Sequence, residues 1–293
     1  MSWRRRRTTV LLFERVAIVG VGLIGGSLAL AARAAGLIGH VTGVGRTEAN
    51  LATAAARGIV DRTTRDPAAI GPVDLVVLAV PVRSMADIAR ALAPHLRPGT
   101  VVTDVASVKA PVVETMETLL PPDVSFVGAH PIAGTERAGA GAADAELFRG
   151  ARCVLTPTAR TDAHALARVE ALWRGVGMTV ERMSPVAHDR VLAWTSHLVH
   201  VIAYALAAVV DAADPNLLRY AGPSFRGATR VAASAPEAWV DILLANAPAV
   251  GAATDAFVAE VARLRQALAS GDEATLGTLL RAGHAARRRV EES

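Results

Sequence analysis

Three clusters of polar residues have the types that acid–base chemistry requires. Residues 103–109 read TDVASVK, residues 130–136 read HPIAGTE, and residues 188–200 contain His-Asp followed by SHLVH. Imidazole has a pKa near neutrality, so a histidine in such a cluster can accept or return a proton at physiological pH. The clusters therefore mark candidate catalytic positions.

Each cluster also has a structural interpretation. Ser107 could cap a helix that continues through Lys109, and His130 before a proline could be a turn residue. His197 and His200 have an i, i+3 spacing that could bind zinc, but no cysteine or Glu-x-x-His pattern supplies a third ligand. We expect no metal site.

The element that must position these clusters begins with the apolar run VAIV. It leads into Gly20, Gly22 and Gly25 in the order G-x-G-x-x-G, and an alanine-rich helical stretch follows. Gly20 permits a tight turn, Gly22 lets the backbone approach a pyrophosphate, and Gly25 lets the helix pack on the strand. The free N–H groups and dipole of the new helix favour phosphate. We predict that a dinucleotide binds here.

The end of the second predicted strand, residues 40–45, indicates which cofactor binds. Sites that prefer NAD usually have Asp or Glu there for the ribose 2′-hydroxyl. This sequence has no acid there, and Arg46 could pair with a 2′-phosphate or simply be exposed. We predict NADP preference, or use of both NADP and NAD. The predicted cofactor contacts are Gly20, Gly22, Leu23, Ile24, Gly25, Arg46, Val80, Pro81 and Ser107.

The order of predicted elements indicates an α/β fold with a Rossmann-type doubly wound parallel sheet. Further strands are predicted at residues 74–80, 100–104, 125–128, 152–155 and 178–181. Helices are predicted at residues 47–57 (with Thr47 as N-cap), 84–92, 108–120 and 162–174. After residue 183 only helical stretches follow. We predict a basic tail at 1–15, a dinucleotide-binding domain at 16–183 and an all-helical substrate and dimerisation domain at 184–293.

The helical region contains an unusually apolar segment at residues 191–210. Its central 13 residues, 198–210, include His200 and are too short and too polar to span a bilayer, so we predict a buried helix. A helix that is apolar on every side must be covered on every side. We therefore infer a second subunit as partner.

Composition limits the remaining classes of function. The chain has 293 residues, 52% of them hydrophobic, and a net charge of +4, of which residues 4–7 supply four positive charges. The remainder has no excess charge, so we expect no nucleic-acid partner. We read the tail as disordered rather than as an export signal. The single cysteine, Cys153, fits a buried thiol in a reducing compartment, and we expect a cytoplasmic protein without a membrane partner.

Taken together, the motifs resemble one family. GLIGGSLA, DVASVK, HPIAGTE, SHLVH and residues 220–246 are similar, in order, to the prephenate/arogenate (cyclohexadienyl) dehydrogenases of tyrosine biosynthesis. The resemblance implies a Rossmann domain followed by a helical domain that forms a homodimer. It implies NAD(P)-dependent oxidative decarboxylation of prephenate to 4-hydroxyphenylpyruvate, or of arogenate to tyrosine.

The resemblance also implies roles for individual residues. His130 would bind the substrate's 4-hydroxyl group and take its proton, with Ser107 orienting that histidine or sharing the contact. Arg230 would pair with a substrate carboxylate. His200 would line or gate the site, with His197 close by.

Three further residues carry expectations from the same resemblance. Trp239 would border the pocket, from this chain or from the neighbouring subunit, and Glu136 would help distinguish prephenate from arogenate. Thr135 would join the substrate contacts. The family often has proline where this chain has Val199, so we expect a more regular helix there, which weakens a gating role for His200.

Three other functions are alternatives to this interpretation. The 3-hydroxyacid dehydrogenases of similar architecture typically rely on a catalytic lysine in the helical domain, and the absence of any lysine after Lys109 counts against them. The same fold could act on 4-amino-4-deoxyprephenate in a specialised pathway. A non-catalytic NADP-binding protein would bind cofactor without turnover.

Overall fold

A six-stranded parallel sheet forms the centre of the first half of the chain. The computed structural model describes residues 11–135 and 137–291. The strands, in the order β3-β2-β1-β4-β5-β6, are β1 (Phe13–Val19), β2 (Ile38–Val44), β3 (Arg62–Thr64), β4 (Leu75–Leu78), β5 (Val101–Asp104) and β6 (Ser125–Val127). The strand order reverses between β1 and β4, so the predicted doubly wound sheet is confirmed.

Helices cover both faces of this sheet, which explains why its strands are continuously apolar. Val16 and Ile18 of β1 pack into one core, whereas Ala17 and Val19 pack into the other. The helices are α1 (Leu23–Ala34), α2 (Glu48–Ala56), α3 (Val82–Leu92), α4 (Ala110–Leu119) and α5 (Ala163–Gly175). Residues of α1, α2 and α5 belong to the first core, and residues of α3 and α4 belong to the second.

Some local predictions need correction. β1 begins at Phe13, whose side chain is buried, so the strand includes the last three residues of the predicted tail. Residues 1–10 lie outside the described residues. Thr47 occupies the N-cap position of α2, but its hydroxyl makes no capping hydrogen bond. The short strand β3 was not predicted.

Three further strands form a separate sheet. β7 (Ala129–Ile132) is antiparallel to β8 (Arg152–Leu155), which pairs in parallel with β9 (Thr179–Arg182). The strands predicted at residues 152–155 and 178–181 lie in this second sheet. His130 is part of β7, so its interpretation as a turn residue was wrong. Cys153 is fully buried in β8, and burial raises the pKa of its thiol.

The described residues after Pro185 contain helices and no strand, as predicted. The helices are α6 (Pro185–Leu192), α7 (Leu198–Ala213), α8 (Pro223–Thr229), α9 (Pro236–Ala245), α10 (Ala247–Ser270) and α11 (Glu273–Glu291). Apolar residues of α9 pack against the second core of the sheet domain. The helical region therefore lies directly against the nucleotide-binding fold.

A π-helical turn, Ala193–His197, joins α6 and α7 into one stretch of 29 residues. This stretch is long and apolar enough to cross a membrane by length and composition, and 22% of its apolar window is buried. The segment predicted at residues 198–210 is therefore part of a longer helix, and much of this helix is exposed in the single chain, where the sequence analysis infers a covering subunit. The helix is regular at Val199, as expected, but the turn before it is not.

Candidate active site

The glycine turn between β1 and α1 is shaped to receive a phosphate group. Gly20 has a φ of +97°, and a Cβ there would lie 2.1 Å from the carbonyl oxygen of Ala79. A Cβ on Gly25 would lie 2.3 Å from the carbonyl oxygen of Gly20. A Cβ on Gly22 would meet nothing within 4 Å, because this residue faces open space at the start of α1. The turn thus fits a dinucleotide, with N–H groups of α1 available to its phosphates.

Two adjoining cavities continue from this turn along the carboxyl ends of the strands. The first has a volume of about 700 Å³ and is lined by the ends of β1, β2 and β4. The second, of about 470 Å³, lies between the start of α1, the segment after β5 and helix α9. The predicted cofactor residues that line one or both are Gly20, Gly22, Leu23, Ile24, Gly25, Arg46, Val80, Pro81 and Ser107.

The different surroundings of Gly22 and Gly20 predict opposite effects of the same substitution. Gly22→Ala should leave the melting temperature unchanged but weaken cofactor binding about tenfold or more, since its methyl group would occupy the pyrophosphate's closest approach. Gly20→Ala should lower the melting temperature, because its φ is positive and its Cβ would overlap Ala79. Calorimetric titration with NADP⁺ and thermal unfolding of both variants measure these effects. Unchanged cofactor affinity in Gly22→Ala would contradict this assignment of the turn.

Two arginines lie at the end of the first cavity where the adenosine ribose is expected. Arg46 follows β2, and Arg65 follows β3, which pairs with β2 in parallel so that Val44 lies opposite Thr64. Both side chains are exposed and both residues line the cavity. Arg65 was missed in the sequence because β3 has only three residues and carries no apolar pattern.

A chain of buried hydrogen bonds connects the two halves of the protein at His130. Nδ1 of His130 lies 2.8 Å from Nε2 of His188, and Nδ1 of His188 lies 2.8 Å from Oδ1 of Asp189. The Asp189 carboxylate also accepts the backbone N–H groups of Lys109 and Ala110, at 2.7 and 2.8 Å. Asp189 on α6 therefore caps α4 of the other domain, the role that Ser107 could have had.

The buried position of His130 determines its charge. Burial lowers its pKa well below the ordinary histidine value, and the nearby His188, Lys109 and His197 lower it further. Burial also lowers the pKa of His188, against the opposing effect of its hydrogen bond to Asp189. Both imidazoles are therefore neutral at pH 7, as a proton acceptor must be.

A buried ion pair lies beside this chain. Lys109 and Asp104 are both fully buried, and the ammonium group of Lys109 donates to the Asp104 carboxylate and to the Ala129 carbonyl oxygen. The same carboxylate accepts the N–H groups of Ala106 and Ala129. The pair thus connects β5, the segment after it and β7. It therefore links the strand that carries His130 to the end of the large sheet.

The indole ring of Trp239 contacts both His197 and His200. The rings of His200 and Trp239 are stacked with centroids 3.3 Å apart, and His197 meets the same indole edge-on at 6.0 Å. Trp239 is thus in contact with histidines of its own chain. Burial lowers the pKa of His197 to about 4, and it lowers the pKa of His200.

Asn246 holds this group together and was missed in the sequence. It lies at the 97° bend between α9 and α10, where its amide donates to the Asp189 carbonyl oxygen at 2.8 Å. The same nitrogen lies 3.2 Å from Nδ1 of His197. Only the fold brings these residues together, since Asn246 lies 57 positions after Asp189.

The remaining predicted residues occupy the rim of the site. Arg230 is exposed, and its positive charge adds to the effect of burial in lowering the pKa of His200. Thr135 is exposed and its hydroxyl accepts the Arg137 N–H group. Glu136 lies outside the described residues. Among the residues that the structure describes, no group of three or more His, Cys, Asp or Glu side chains could hold a metal ion.

Ser107 was expected to orient His130 or to share its contact with the substrate, but it is His188 that hydrogen-bonds to the His130 ring. Ser107 lines the second cavity and is half-buried, but in the described part of the chain its hydroxyl makes no hydrogen bond. His188 instead occupies Nδ1 of His130. Ser107 is therefore left facing the cavity, where it can meet a ligand.

The glycine turn, the paired cavities and the buried histidines define a class of protein. A doubly wound nucleotide-binding domain joined to a helical domain, with neutral histidines at their junction, is the arrangement of a two-domain nicotinamide-dependent dehydrogenase.

Comparison with known proteins gives the family. The profile of the prephenate dehydrogenase nucleotide-binding domain matches residues 28–182, and that of the prephenate dehydrogenase dimerization domain matches residues 184–282. The cyclohexadienyl dehydrogenase of Zymomonas mobilis is 42% identical over 266 residues, which are 89% of this chain and 90% of that protein. The prephenate dehydrogenase of Bacillus subtilis is 32% identical over 257 residues, 86% of this chain and 69% of that protein.

A solved structure agrees with these sequence relatives. The prephenate dehydrogenase from A. aeolicus, in complex with hydroxyphenyl propionate and NAD⁺, has a TM-score of 0.89 at 36% identity and covers 94% of this chain and 98% of its own. This chain belongs to the prephenate dehydrogenase family. It is an NAD(P)-dependent oxidoreductase with a nucleotide-binding domain and a dimerisation domain.

Proposed function

We propose that this enzyme catalyses the oxidative decarboxylation of prephenate to 4-hydroxyphenylpyruvate, or of arogenate to tyrosine, with His130 as the base. The observation that carries the proposal is the buried, neutral imidazole of His130, held by a single chain of hydrogen bonds at the junction of the two domains. A base of this kind stays unprotonated at pH 7 and is ready to accept a hydroxyl proton.

The proposed proton path needs no external acid. His130 accepts the proton of the ring 4-hydroxyl group as that ring carbon becomes a carbonyl. A bound nicotinamide supplies the acceptor for the hydride that leaves this carbon. Loss of the ring carboxylate as CO₂ leaves its electron pair in the ring, which becomes a phenolate. His130 returns its proton to the phenolate oxygen, so the reaction consumes and releases no net proton.

Substrate binding falls to residues at the junction and on the rim. Arg230 offers a guanidinium to a substrate carboxylate, and Ser107 can share the contact to the 4-hydroxyl group. The stacked rings of His200 and Trp239 form an apolar wall, with His197 behind them. We propose Thr135 and Glu136 as further substrate contacts on the adjoining loop, with Glu136 distinguishing a keto from an amino side chain.

The test of the function is turnover with each pair of reactants. Purified protein is mixed with prephenate or arogenate and with NAD⁺ or NADP⁺, and formation of reduced cofactor is followed in all four combinations. Turnover in at least one combination is expected, and the pattern identifies substrate and cofactor. If the protein bound cofactor but formed no reduced cofactor in any of the four combinations, the proposed function would be contradicted. If it turned over only 4-amino-4-deoxyprephenate, that compound would be the substrate instead of prephenate or arogenate.

We propose further that the enzyme prefers NADP and that Arg46 and Arg65 bind its 2′-phosphate. Two arginines at neighbouring strand ends, with no acid at the end of β2, favour a dianionic group over a ribose hydroxyl. Arg46→Ala should lower the ratio of kcat/KM for NADP⁺ to that for NAD⁺ by about 10- to 100-fold. Arg62→Ala, which removes an exposed arginine of β3 outside the cavity, is the control. An unchanged ratio in Arg46→Ala would contradict this proposal.

We also propose a cytoplasmic homodimer that forms through the helical domain, without nucleic-acid or membrane partners. Large apolar side chains are exposed along that domain in the single chain, and they include Val209, Val240, Leu244, Val258 and Leu268. A second copy covering this surface would bury the faces of α7 and α10 that a single chain leaves in water.

A further inference from the structure

The hydrogen bonds that end at His130 determine where its proton lies. A carboxylate has only acceptor atoms, and that of Asp189 already accepts two backbone N–H groups. Nδ1 of His188, 2.8 Å from Oδ1 of Asp189, must therefore be the donor in that contact. A neutral imidazole has one N–H group, so Nε2 of His188 carries a lone pair.

The same argument extends one ring further. Nε2 of His188 can only accept, so Nδ1 of His130, at 2.8 Å, must be the atom that carries the hydrogen. Nε2 of His130 is therefore unprotonated and carries a lone pair that can accept a hydrogen bond or a proton. The two rings meet edge-on at 68°, with centroids 5.0 Å apart, as expected when an N–H group in the plane of one ring is directed at the edge of the other.

The pair that directs this arrangement is rigidly held. His188 is fully buried, and Asp189 is bound on three sides by Lys109 N–H, Ala110 N–H and His188. The backbone of His130 is held in β7, opposite Val154 of β8. Neither ring can rotate without breaking a buried hydrogen bond and leaving a buried polar group unpaired.

We infer that His188, oriented by Asp189, is a positioning residue that keeps the proton of His130 on Nδ1 and leaves its Nε2 free to accept the substrate's hydroxyl proton. The inference rests on the proposed role of His130 as the base. Isolated neutral imidazole can carry its proton on either nitrogen, and only the Nδ1–H form presents a basic Nε2 to the substrate. His188 and Asp189 come from the helical domain and His130 from the other, so the base is complete only when the two domains are docked.

Nitrogen-15 NMR of the full-length protein, labelled at its eight histidines, tests the tautomer without any turnover. The His130 signals are assigned by their loss in His130→Asn. We expect the N–H coupling on Nδ1 of His130 in the unmodified protein, and a mixture of both tautomers in His188→Leu. A proton on Nε2 of His130 in the unmodified protein would overturn the inference.

Kinetics of two His188 variants give the second measurement. His188→Leu removes the acceptor and should lower kcat by roughly 10- to 1000-fold, while KM for both reactants stays within about threefold. His188→Gln places an amide oxygen where Nε2 was, so it should recover most of the lost kcat. Wild-type kcat in a folded His188→Leu, or no recovery in a folded His188→Gln, would contradict the inference.

The two experiments separate this inference from the proposed function. If the unmodified protein turned over no substrate, the function would fail, while the NMR spectrum would still decide the tautomer. If His188→Leu did not fold, as judged by circular dichroism, the unmodified protein and His188→Gln would still provide both measurements.

Discussion

Replacing His130 with asparagine should lower kcat by about 10²- to 10⁴-fold, the range associated with loss of a general acid–base residue. Asparagine cannot accept the hydroxyl proton, yet its amide N–H₂ can still donate to Nε2 of His188, which now bonds Nδ1 of His130. The buried contact therefore survives and the fold should persist. Cofactor affinity should change little, because other residues line the two cofactor cavities.

The measurement combines turnover, calorimetric binding of cofactor and thermal unfolding. His164→Asn is a matched control, since His164 is exposed at the start of α5 and lines neither cavity, and this variant should retain full activity. If His130→Asn kept its turnover while remaining folded, His130 would be a structural residue and the proposed proton path would be wrong.

The second large effect is expected on stability, from Lys109→Met. Methionine fills a similar volume but leaves the Asp104 carboxylate, which is fully buried, without its cation. Removal of one partner from a buried ion pair typically costs about 3–5 kcal/mol, because the remaining charge is uncompensated. The free energy of unfolding, measured by urea denaturation, should fall by about that amount.

Two further variants make this interpretation specific. Asp104→Asn added to Lys109→Met removes the unpaired charge, so part of the lost stability should return. Arg90→Met breaks an ion pair with Asp87 in which the Arg90 side chain is 60% and the Asp87 side chain 84% accessible. This variant should lower the free energy of unfolding by less than about 1 kcal/mol. Equal losses in Arg90→Met and Lys109→Met would show that burial of the Lys109 pair has no energetic importance.

The parts of this molecule that the sequence predicts are those with local causes. Gly20, Gly22 and Gly25 lie within one turn. Gly20 and Gly25 are required by close contacts with the turn or with the segment after the adjoining strand, whereas Gly22 leaves the approach to the turn open. The strands around them are continuous apolar runs because both faces of the sheet are buried. Such patterns can be recognised in the sequence without knowledge of the fold.

The parts that the sequence does not predict depend on contacts between distant residues. His130 and His188 are 58 positions apart, and Asp189 and the backbone it caps at Lys109 are 80 apart. His188 and Asp189 were visible in the sequence as a polar pair, but nothing local indicated that they face His130. The same reason explains why Ser107 looked like the cap of α4, a role that Asp189 takes.

The exposed helical stretch shows a different limit. An apolar helix looks the same in sequence whether its own chain, a membrane or a second subunit covers it. Leu198 and Ala203 are buried in the single chain, whereas Val199 and Val209 are exposed. The sequence analysis assigns the cover of this helix to a second subunit, and the side chains exposed in the single chain are available to it.

The most direct measurement of the central claim is the stoichiometry of one turnover reaction. The enzyme is given limiting substrate, prephenate or arogenate, with its preferred cofactor, and released CO₂ and reduced cofactor are quantified together with the aromatic product. Oxidative decarboxylation predicts one CO₂, one reduced cofactor and one phenol for each molecule of substrate consumed. Reduced cofactor without an equal amount of CO₂ would contradict the account, since the enzyme would then be an alcohol dehydrogenase that leaves the ring carboxylate in place.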